Sequence, residues 1–265
     1  MPERAAGWEN GPFEPVSACG RVLVARCEPE GVNVGLVVGR ERALLVDVGT
    51  FPAQGAALRA AADDVAGRLT GVRVGVAVLT HDHYDHWFGL AGLPDLEAWA
   101  HAGLGEPAGS SADWLPRVGL AAAPRPSRRI DDGGRQVLDL GGLSAVVEHH
   151  GRAHTRTDLT VLVPEAGVLF AGDLVEESGP PQHGPESDLA RWPGVLDAVL
   201  QRLETPAAPS SQNEPCGMAP TTGEIGAIPQ GSFHGEVRVV PGHGAVVDAA
   251  FVRAQREALA AAPPG

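Results

Sequence analysis

Three histidines and an aspartate that could bind metal ions lie within the six-residue stretch His81-Asp82-His83-Tyr84-Asp85-His86. Residues two apart in an extended backbone point to the same side, so His81 and His83 can bind one ion. The chain then turns, and Asp85 with His86 can face a second ion. Imidazole and carboxylate groups at this density are the ligands that zinc and similar ions prefer. By itself, the stretch could also be a solvated histidine-rich loop that takes up metal opportunistically.

Three more ligand-type residues lie far downstream, each at the end of a strand-like run or in the turn beside it. His154 follows Gly-Arg-Ala, Asp173 follows Val-Leu-Phe-Ala-Gly, and His243 follows Val-Val-Pro-Gly. The 81–86 stretch therefore has distant partners of matching chemistry. This favours a built metal site over an opportunistic loop.

The elements that must position these residues follow from hydrophobic patterning. The run 72–79 before the motif is apolar and β-branched, which indicates a buried strand. Similar runs predict strands at 21–26, 32–38, 43–48, 96–101, 136–140, 143–148, 159–164, 167–171 and 237–240. Start signals and apolar faces predict helices at 52–69, 111–122 and 193–204, and a last helix capped by Asp248. The motif thus lies where a strand gives way to a loop, the edge at which open α/β sheets hold ligands.

Together these motifs resemble those of the metallo-β-lactamase-fold hydrolases, the superfamily that includes glyoxalase II. The resemblance extends from about Val32 to Ala258. It implies an α/β fold, a four-layer αββα sandwich with two mixed β-sheets between helices, and a single domain over residues 1–265. The segment at about 205–235 is rich in Pro, Gly and Ser and has no period of either kind, so we expect a flexible insertion there.

The resemblance also implies roles for seven residues and two divalent metal ions, with zinc expected and iron or manganese as alternatives. Asp173 would bridge the two ions, and Asp85 and Asp173 would be the catalytic carboxylates. The implied ligands are His81, His83 and His154 for the first ion, Asp85, His86 and His243 for the second, and Asp173 for both.

Residues beside the ligands have implied supporting roles. Asp47 ends a strand where the family carries an aspartate behind the metal ligands, although a turn-forming aspartate is the alternative. Thr155 and Asp158 follow His154 closely enough to orient it.

Other histidines are expected to lie outside the metal site. His150 precedes His154 in a His-x-x-x-His-Thr pattern, and we expect it to bond to backbone. His101 is interpreted as a core or strand-end residue, and His183 as an exposed loop residue.

The implied reaction is attack by a metal-bridging hydroxide on a small ester, thioester or lactone. Two zinc ions, two carboxylates and a hydroxide would leave about one positive charge, which favours anionic substrates. Asp173 stands where many β-lactamases of this fold have another residue, which argues against antibiotic hydrolysis. The alternative function is a mononuclear iron persulfide dioxygenase on the same fold. A non-catalytic binding module is disfavoured by the complete ligand set.

Composition limits the partners and the location. The formal net charge is −13 and the chain has no lysine, so nucleic acid is not an expected partner. No apolar signal core or membrane-length window is present. Three widely spaced cysteines predict a reducing compartment without a disulfide framework. We therefore expect a cytoplasmic protein that contacts no membrane and binds a small-molecule substrate, with its oligomeric state left open.

Overall fold

The computed structural model describes residues 8–107, 110–204 and 237–262. The predicted insertion at 205–235 lies outside the described residues. The strands are β1 Glu9–Asn10, β2 Glu14–Pro15, β3 Val22–Glu28, β4 Val32–Val38, β5 Ala43–Val46, β6 Val74–Val78, β7 Glu97–His101, β8 Arg128–Ile130, β9 Arg135–Asp139, β10 Ser144–His149, β11 Leu159–Val163, β12 Val168–Glu176 and β13 Arg238–His243. The α-helices are α1 Pro52–Thr70, α2 Tyr84–Trp87, α3 Ser110–Trp114, α4 Trp192–Glu204 and α5 Ala249–Ala261.

The strands form two mixed sheets that meet at one point. In the first sheet, β3, β4 and β5 are antiparallel, while β5, β6, β7 and β8 are parallel. In the second, β9 to β12 are antiparallel and β13 is parallel to β12. The sheets are joined where β13 pairs with β4 at His243 and Val32. A predicted metal-site residue therefore lies at the junction of the two sheets.

Three hydrophobic clusters separate four layers. The middle cluster combines inward residues of both sheets, such as Val37 and Val46 from the first sheet with Val147 and Val161 from the second. A second cluster packs the outer face of the first sheet against α1. The third packs the outer face of the second sheet against α4 and α5. The predicted αββα sandwich is thus the observed architecture.

Burial on both sides explains why the central strands are almost continuously apolar. Every residue of β4 is buried, although its side chains alternate between the two faces. One face meets the other sheet and the opposite face meets the helical layer, so neither face needs polar side chains.

Several elements differ from the sequence prediction: β1, β2 and β8 were not predicted, and the following two boundaries are shifted the most. The helix expected at 111–122 ends at Trp114. The next residue precedes Pro116, and a residue before proline is sterically disfavoured in helical conformation, which explains the early end. The strand expected at 167–171 continues as β12 to Glu176. Asp173 therefore lies within a strand, next to β13, which pairs with β12 at Gly172 and Glu176.

The cysteines depart from expectation. Cys27 is a free, buried thiol, whereas Cys19 is disulfide-bonded. The prediction of a chain without disulfides is therefore wrong, and the expected cytoplasmic location loses that support. None of the helices in the described ranges is both long and apolar enough to span a membrane.

The cap of the last helix gives a test of this local structure. The Asp248 carboxylate accepts a hydrogen bond from the Phe251 amide at 2.9 Å, as an N-cap residue should. We expect Asp248→Ala to lower the free energy of unfolding by about 1 kcal/mol. Chemical denaturation monitored by circular dichroism measures this loss. Asp95→Ala, at another exposed aspartate, is the control, and equal stability of the two variants would contradict the capping role.

Candidate metal centre

Four of the predicted ligands form a first group, to which both sheets contribute. His81 follows β6, His83 is the N-cap of α2, His154 lies between β10 and β11, and Asp173 lies in β12. Their ligand-type atoms all lie within 4.8 Å of one another. His83 Nδ1 is 3.0 Å from His154 Nε2, and Asp173 Oδ2 is 3.4 Å from the same nitrogen. Asp173 Oδ2 is also 3.6 Å from His81 Nε2.

A second group lies on the other side of the same carboxylate. Asp85, His86 and His243 again place their ligand-type atoms within 4.8 Å of one another. Asp173 Oδ1 lies 3.2 Å from His86 Nε2 and 3.7 Å from His243 Nε2. Asp85 Oδ2 completes the group, 3.4 Å from His243 Nε2. The two oxygens of Asp173 thus face different groups.

Two atoms in this centre are buried without a hydrogen bond, His81 Nε2 and Asp173 Oδ1. A buried polar atom without a partner is costly, and it calls for an explanation such as an ion. Both atoms point into the space between converging nitrogen and oxygen ligands. Imidazole and carboxylate donors of this kind suit zinc, iron or manganese, so the residues present fit a metal pair.

The charge states of the first group suit metal binding, which needs neutral imidazoles and ionised carboxylates. Burial lowers the pKa of His154 to about 4 and lowers that of His81 well below its ordinary value. Burial would raise the pKa of Asp173, but the imidazoles of His86 and His81 outweigh it and hold that pKa well below the usual range. Two imidazoles are therefore neutral next to an ionised carboxylate. In the second group the neighbouring carboxylates raise the pKa of His86 well above its ordinary value and that of His243 to about 9, so a metal ion there must displace protons.

Asp47, predicted to lie behind the ligands, bonds directly to one of them. Its Oδ2 is 2.8 Å from His86 Nδ1, and it accepts hydrogen bonds from the amide and the hydroxyl of Thr80. Asp47 is also the one non-glycine residue with positive φ among those described, at 63°. Such a conformation costs about 1–3 kcal/mol and persists only where surrounding contacts enforce it.

The other four histidines of the centre also have a partner on the nitrogen that faces away from it. Sequence reasoning missed these partners, because three of them act through a backbone carbonyl or a loop that no motif marks. The pairs are His81 Nδ1 with the Thr80 hydroxyl at 3.0 Å, His83 Nε2 with Glu186 Oε1 at 3.1 Å, His154 Nδ1 with the Gln182 carbonyl at 3.0 Å, and His243 Nδ1 with the Glu30 carbonyl at 2.9 Å. Such bonds fix which ring nitrogen carries the proton and leave the other free for a metal.

Thr155 and Asp158 bond chiefly to each other. The Thr155 amide and hydroxyl both donate to the Asp158 carboxylate, at 2.7 to 3.0 Å. These bonds fasten the loop that carries His154, while the ring of His154 bonds to Gln182. Their role in orienting His154 stays a prediction.

The histidines expected to lie outside the centre do so. One of them, His150, has a different partner from the one expected. His150 Nε2 lies 2.9 Å from the Thr160 hydroxyl, and not at a backbone group. His101 is buried at the end of β7, as predicted.

His101 also belongs to a third group, with Asp132 and His149, whose chemistry argues against a metal. The Nδ1 atoms of both histidines accept backbone hydrogen bonds, from Gly103 at 3.1 Å and from Gly133 at 2.8 Å. In a neutral ring the proton is then on Nε2, which leaves no lone pair there for an ion. The histidines of the main centre have the opposite arrangement.

Gly242 must be a glycine, because its Cα lies very close to the Asp173 carboxylate. A Cβ atom at Gly242 would lie 1.8 Å from Asp173 Oδ1. The turn cannot easily retreat, because the Asn33 amide donates to the carbonyls of Pro241 and Gly244 on either side.

We therefore expect Gly242→Ala to displace the Asp173 carboxylate and to lower the amount of zinc retained per chain after zinc loading. Elemental mass spectrometry measures that amount. Gly194→Ala is the control, since a Cβ there meets no atom within 4 Å. Wild-type zinc content in Gly242→Ala would show that the carboxylate position is not critical.

Comparison with known proteins agrees with this geometry. The sequence matches the family model described as the metallo-beta-lactamase superfamily over residues 27–213. No curated protein matches the chain. Among solved structures, FIM-1 from Pseudomonas aeruginosa in its mono-zinc form is 21% identical, with a TM-score of 0.62 and coverage of 94% of this chain and 95% of that one.

Two further structures are similar at the level of the fold. The metallo-beta-lactamase from Pontibacter korlensis is 18% identical with a TM-score of 0.62, covering 94% of this chain and 100% of that one. DIM-1 is also 18% identical with a TM-score of 0.62, covering 95% and 99%. The family match extends over most of the sequence and includes the 81–86 motif. The chain belongs to the metallo-β-lactamase superfamily.

Proposed function

We propose that this protein is a metal-dependent hydrolase that holds two divalent cations, with zinc as the expected metal and iron or manganese as alternatives. The observation that carries the proposal is the position of Asp173, whose two oxygens each face a separate group of ligand-type atoms. A carboxylate in this position can bridge two ions. A single ion bound by the first group would leave the ligand-type atoms of the second group without a metal to bind.

The proposed ligands follow the two groups. His81, His83 and His154 hold the first cation, Asp85, His86 and His243 hold the second, and Asp173 binds both.

A metal pair of this kind would lower the pKa of a water molecule towards neutrality and polarise the carbonyl under attack. The side chains of this protein would hold the metal pair in place. Asp85 and Asp173 are the carboxylates within the centre, and we assign them the catalytic role of holding the cations in the positions from which they would activate the attacking water. Asp47 keeps His86 in the protonation state that leaves Nε2 free.

The proposed substrates are small esters, thioesters or lactones, as in glyoxalase II-like members of the superfamily. Asp173 stands where many β-lactamases of this fold carry a different residue, which supports this choice over antibiotic hydrolysis. The chain is acidic overall, with a formal net charge of −13. Nucleic acid and membranes are therefore not proposed as partners, and we propose a cytoplasmic location.

Metal analysis of protein purified without metal supplementation tests the proposal first. We expect close to two zinc ions per chain by elemental mass spectrometry. Close to one iron ion per chain would favour the alternative, a persulfide dioxygenase, and oxygen uptake with a persulfide would then be measured. Protein that takes up no metal even after loading would contradict both functions.

The bridging carboxylate gives a second prediction. We expect Asp173→Asn to lower kcat/KM for a thioester or lactone substrate by at least about 100-fold and to lower metal content, because a neutral amide binds two cations poorly. Asp82→Asn is the matched control in the motif itself, since its side chain accepts a hydrogen bond from Thr157 and an asparagine oxygen can still accept it. Equal activity of the two variants would contradict the assignment of Asp173.

Substrate charge gives a third prediction. The two cations outweigh the carboxylates of Asp85 and Asp173, so the centre should attract anions within an acidic protein. We expect a higher kcat/KM for esters with a nearby carboxylate than for neutral analogues of the same size, and a smaller difference at high salt. A preference for neutral esters would refute the charge argument.

A further inference from the structure

The loop between β12 and α4 contacts two histidines of the first group from outside the centre. We call residues 180–188 the capping loop. The Gln182 carbonyl accepts a hydrogen bond from His154 Nδ1 at 3.0 Å, and the Ser187 hydroxyl donates to the His154 carbonyl at 2.6 Å. Glu186 Oε1 lies 3.1 Å from His83 Nε2. The capping loop therefore supports both His83 and His154.

The second group is supported in a different way. His86 bonds to Asp47 and His243 bonds to the Glu30 carbonyl, and both partners lie near strand ends of the first sheet. The His86 and Asp47 side chains are 0% and 2% exposed, whereas those of His83 and Glu186 are 21% and 35% exposed. The histidines of the second group thus depend on partners near strand ends of the first sheet, whereas those of the first group depend in part on a half-exposed loop.

The bond to Glu186 decides which nitrogen of His83 faces the centre. A neutral imidazole carries one proton, and the carboxylate of Glu186 can only accept it, so the proton is placed on Nε2. Nδ1 then presents its lone pair towards His154 Nε2, 3.0 Å away. Without Glu186, His83 can exchange the proton between its nitrogens and rotate away. Of the five histidines in the centre, His83 is the one whose outward nitrogen bonds to a side chain of the capping loop.

We propose that Glu186 is a positioning residue that sets the affinity of the first metal position independently of the second. This inference rests on the proposed function, because it assigns His83 to a metal. Outer partners of metal-binding histidines typically change metal affinity by about 10- to 100-fold when they are removed. The capping loop would accordingly control whether the centre holds one ion or two.

The test compares three variants of the full chain, stripped of metal and titrated with zinc against a competing chelator. In wild-type protein we expect two binding steps. In Glu186→Ala we expect one step to weaken by about 10- to 100-fold and the other to change by less than about threefold. Glu186→Gln should recover most of the affinity, because its amide oxygen can still accept the His83 proton. Gln182→Ala is the matched control in the same loop, since Gln182 acts through its backbone carbonyl.

A second measurement does not need metal. Two-bond proton–nitrogen correlation spectra of metal-free protein report which nitrogen of each histidine is protonated. We expect His83 to be protonated on Nε2 in wild-type protein and in Glu186→Gln, and to be a mixture in Glu186→Ala. This readout separates a specific effect on His83 from general loosening of the loop.

The outcomes separate the inference from the proposed function. If wild-type protein takes up no zinc, the proposed function fails, and the inference that rests on it fails too. If wild-type protein binds two ions and Glu186→Ala binds both as tightly, only the inference is overturned. Equal weakening of both steps, or His83 protonated on Nδ1 in wild-type protein, would also overturn it.

Discussion

The burial of the Asp173 carboxylate is the constraint on which the centre depends. An ionised carboxylate in a protein interior costs several kcal/mol unless opposite charge and hydrogen bonds compensate it. Here it is 7% exposed and is surrounded by imidazoles of both groups, while one of its oxygens has no hydrogen bond. The carboxylates raise the pKa of His86 and of His243, so protons on these two rings balance the charges of Asp85 and Asp173 in the metal-free chain. Cations between the groups would displace those protons and balance the same charges, so the arrangement suits a metal centre.

The sandwich makes this arrangement possible because ligands come from both sheets. The first sheet delivers the 81–86 motif after β6, and the second delivers Asp173 and His243 on the neighbouring strands β12 and β13. The junction of β4 and β13 holds the two sets at a fixed distance. Asp47 adds to this rigidity by joining the end of β5 to Thr80 and His86, and its positive φ shows how strongly the surroundings constrain it.

Local sequence signals predicted most of the helices and strands. They failed at the end of one helix and for the state of one cysteine. Alternating or continuous apolar runs predicted the central strands, because a strand that is buried on both faces consists almost entirely of apolar residues. The helix after Ser111 was predicted too long, because Pro116 disfavours helical conformation at the residue before it. The state of Cys19 was also mispredicted, since spacing along the chain does not report which thiols meet in space.

The sequence by itself determined the family and the ligand types, because chemistry that needs imidazole and carboxylate at a strand end leaves a dense local motif. It also implied that His154, Asp173 and His243 belong with that motif. Only the tertiary structure decided which nitrogen of each histidine faces the centre and which partner holds it there. Those partners, Glu30, Gln182 and Glu186, lie 28 to 213 positions from their histidines. Two of them act through backbone carbonyls, which every residue has, so no sequence pattern links them to the histidines. Orientation is a property of packing between distant segments, and it has no local signature.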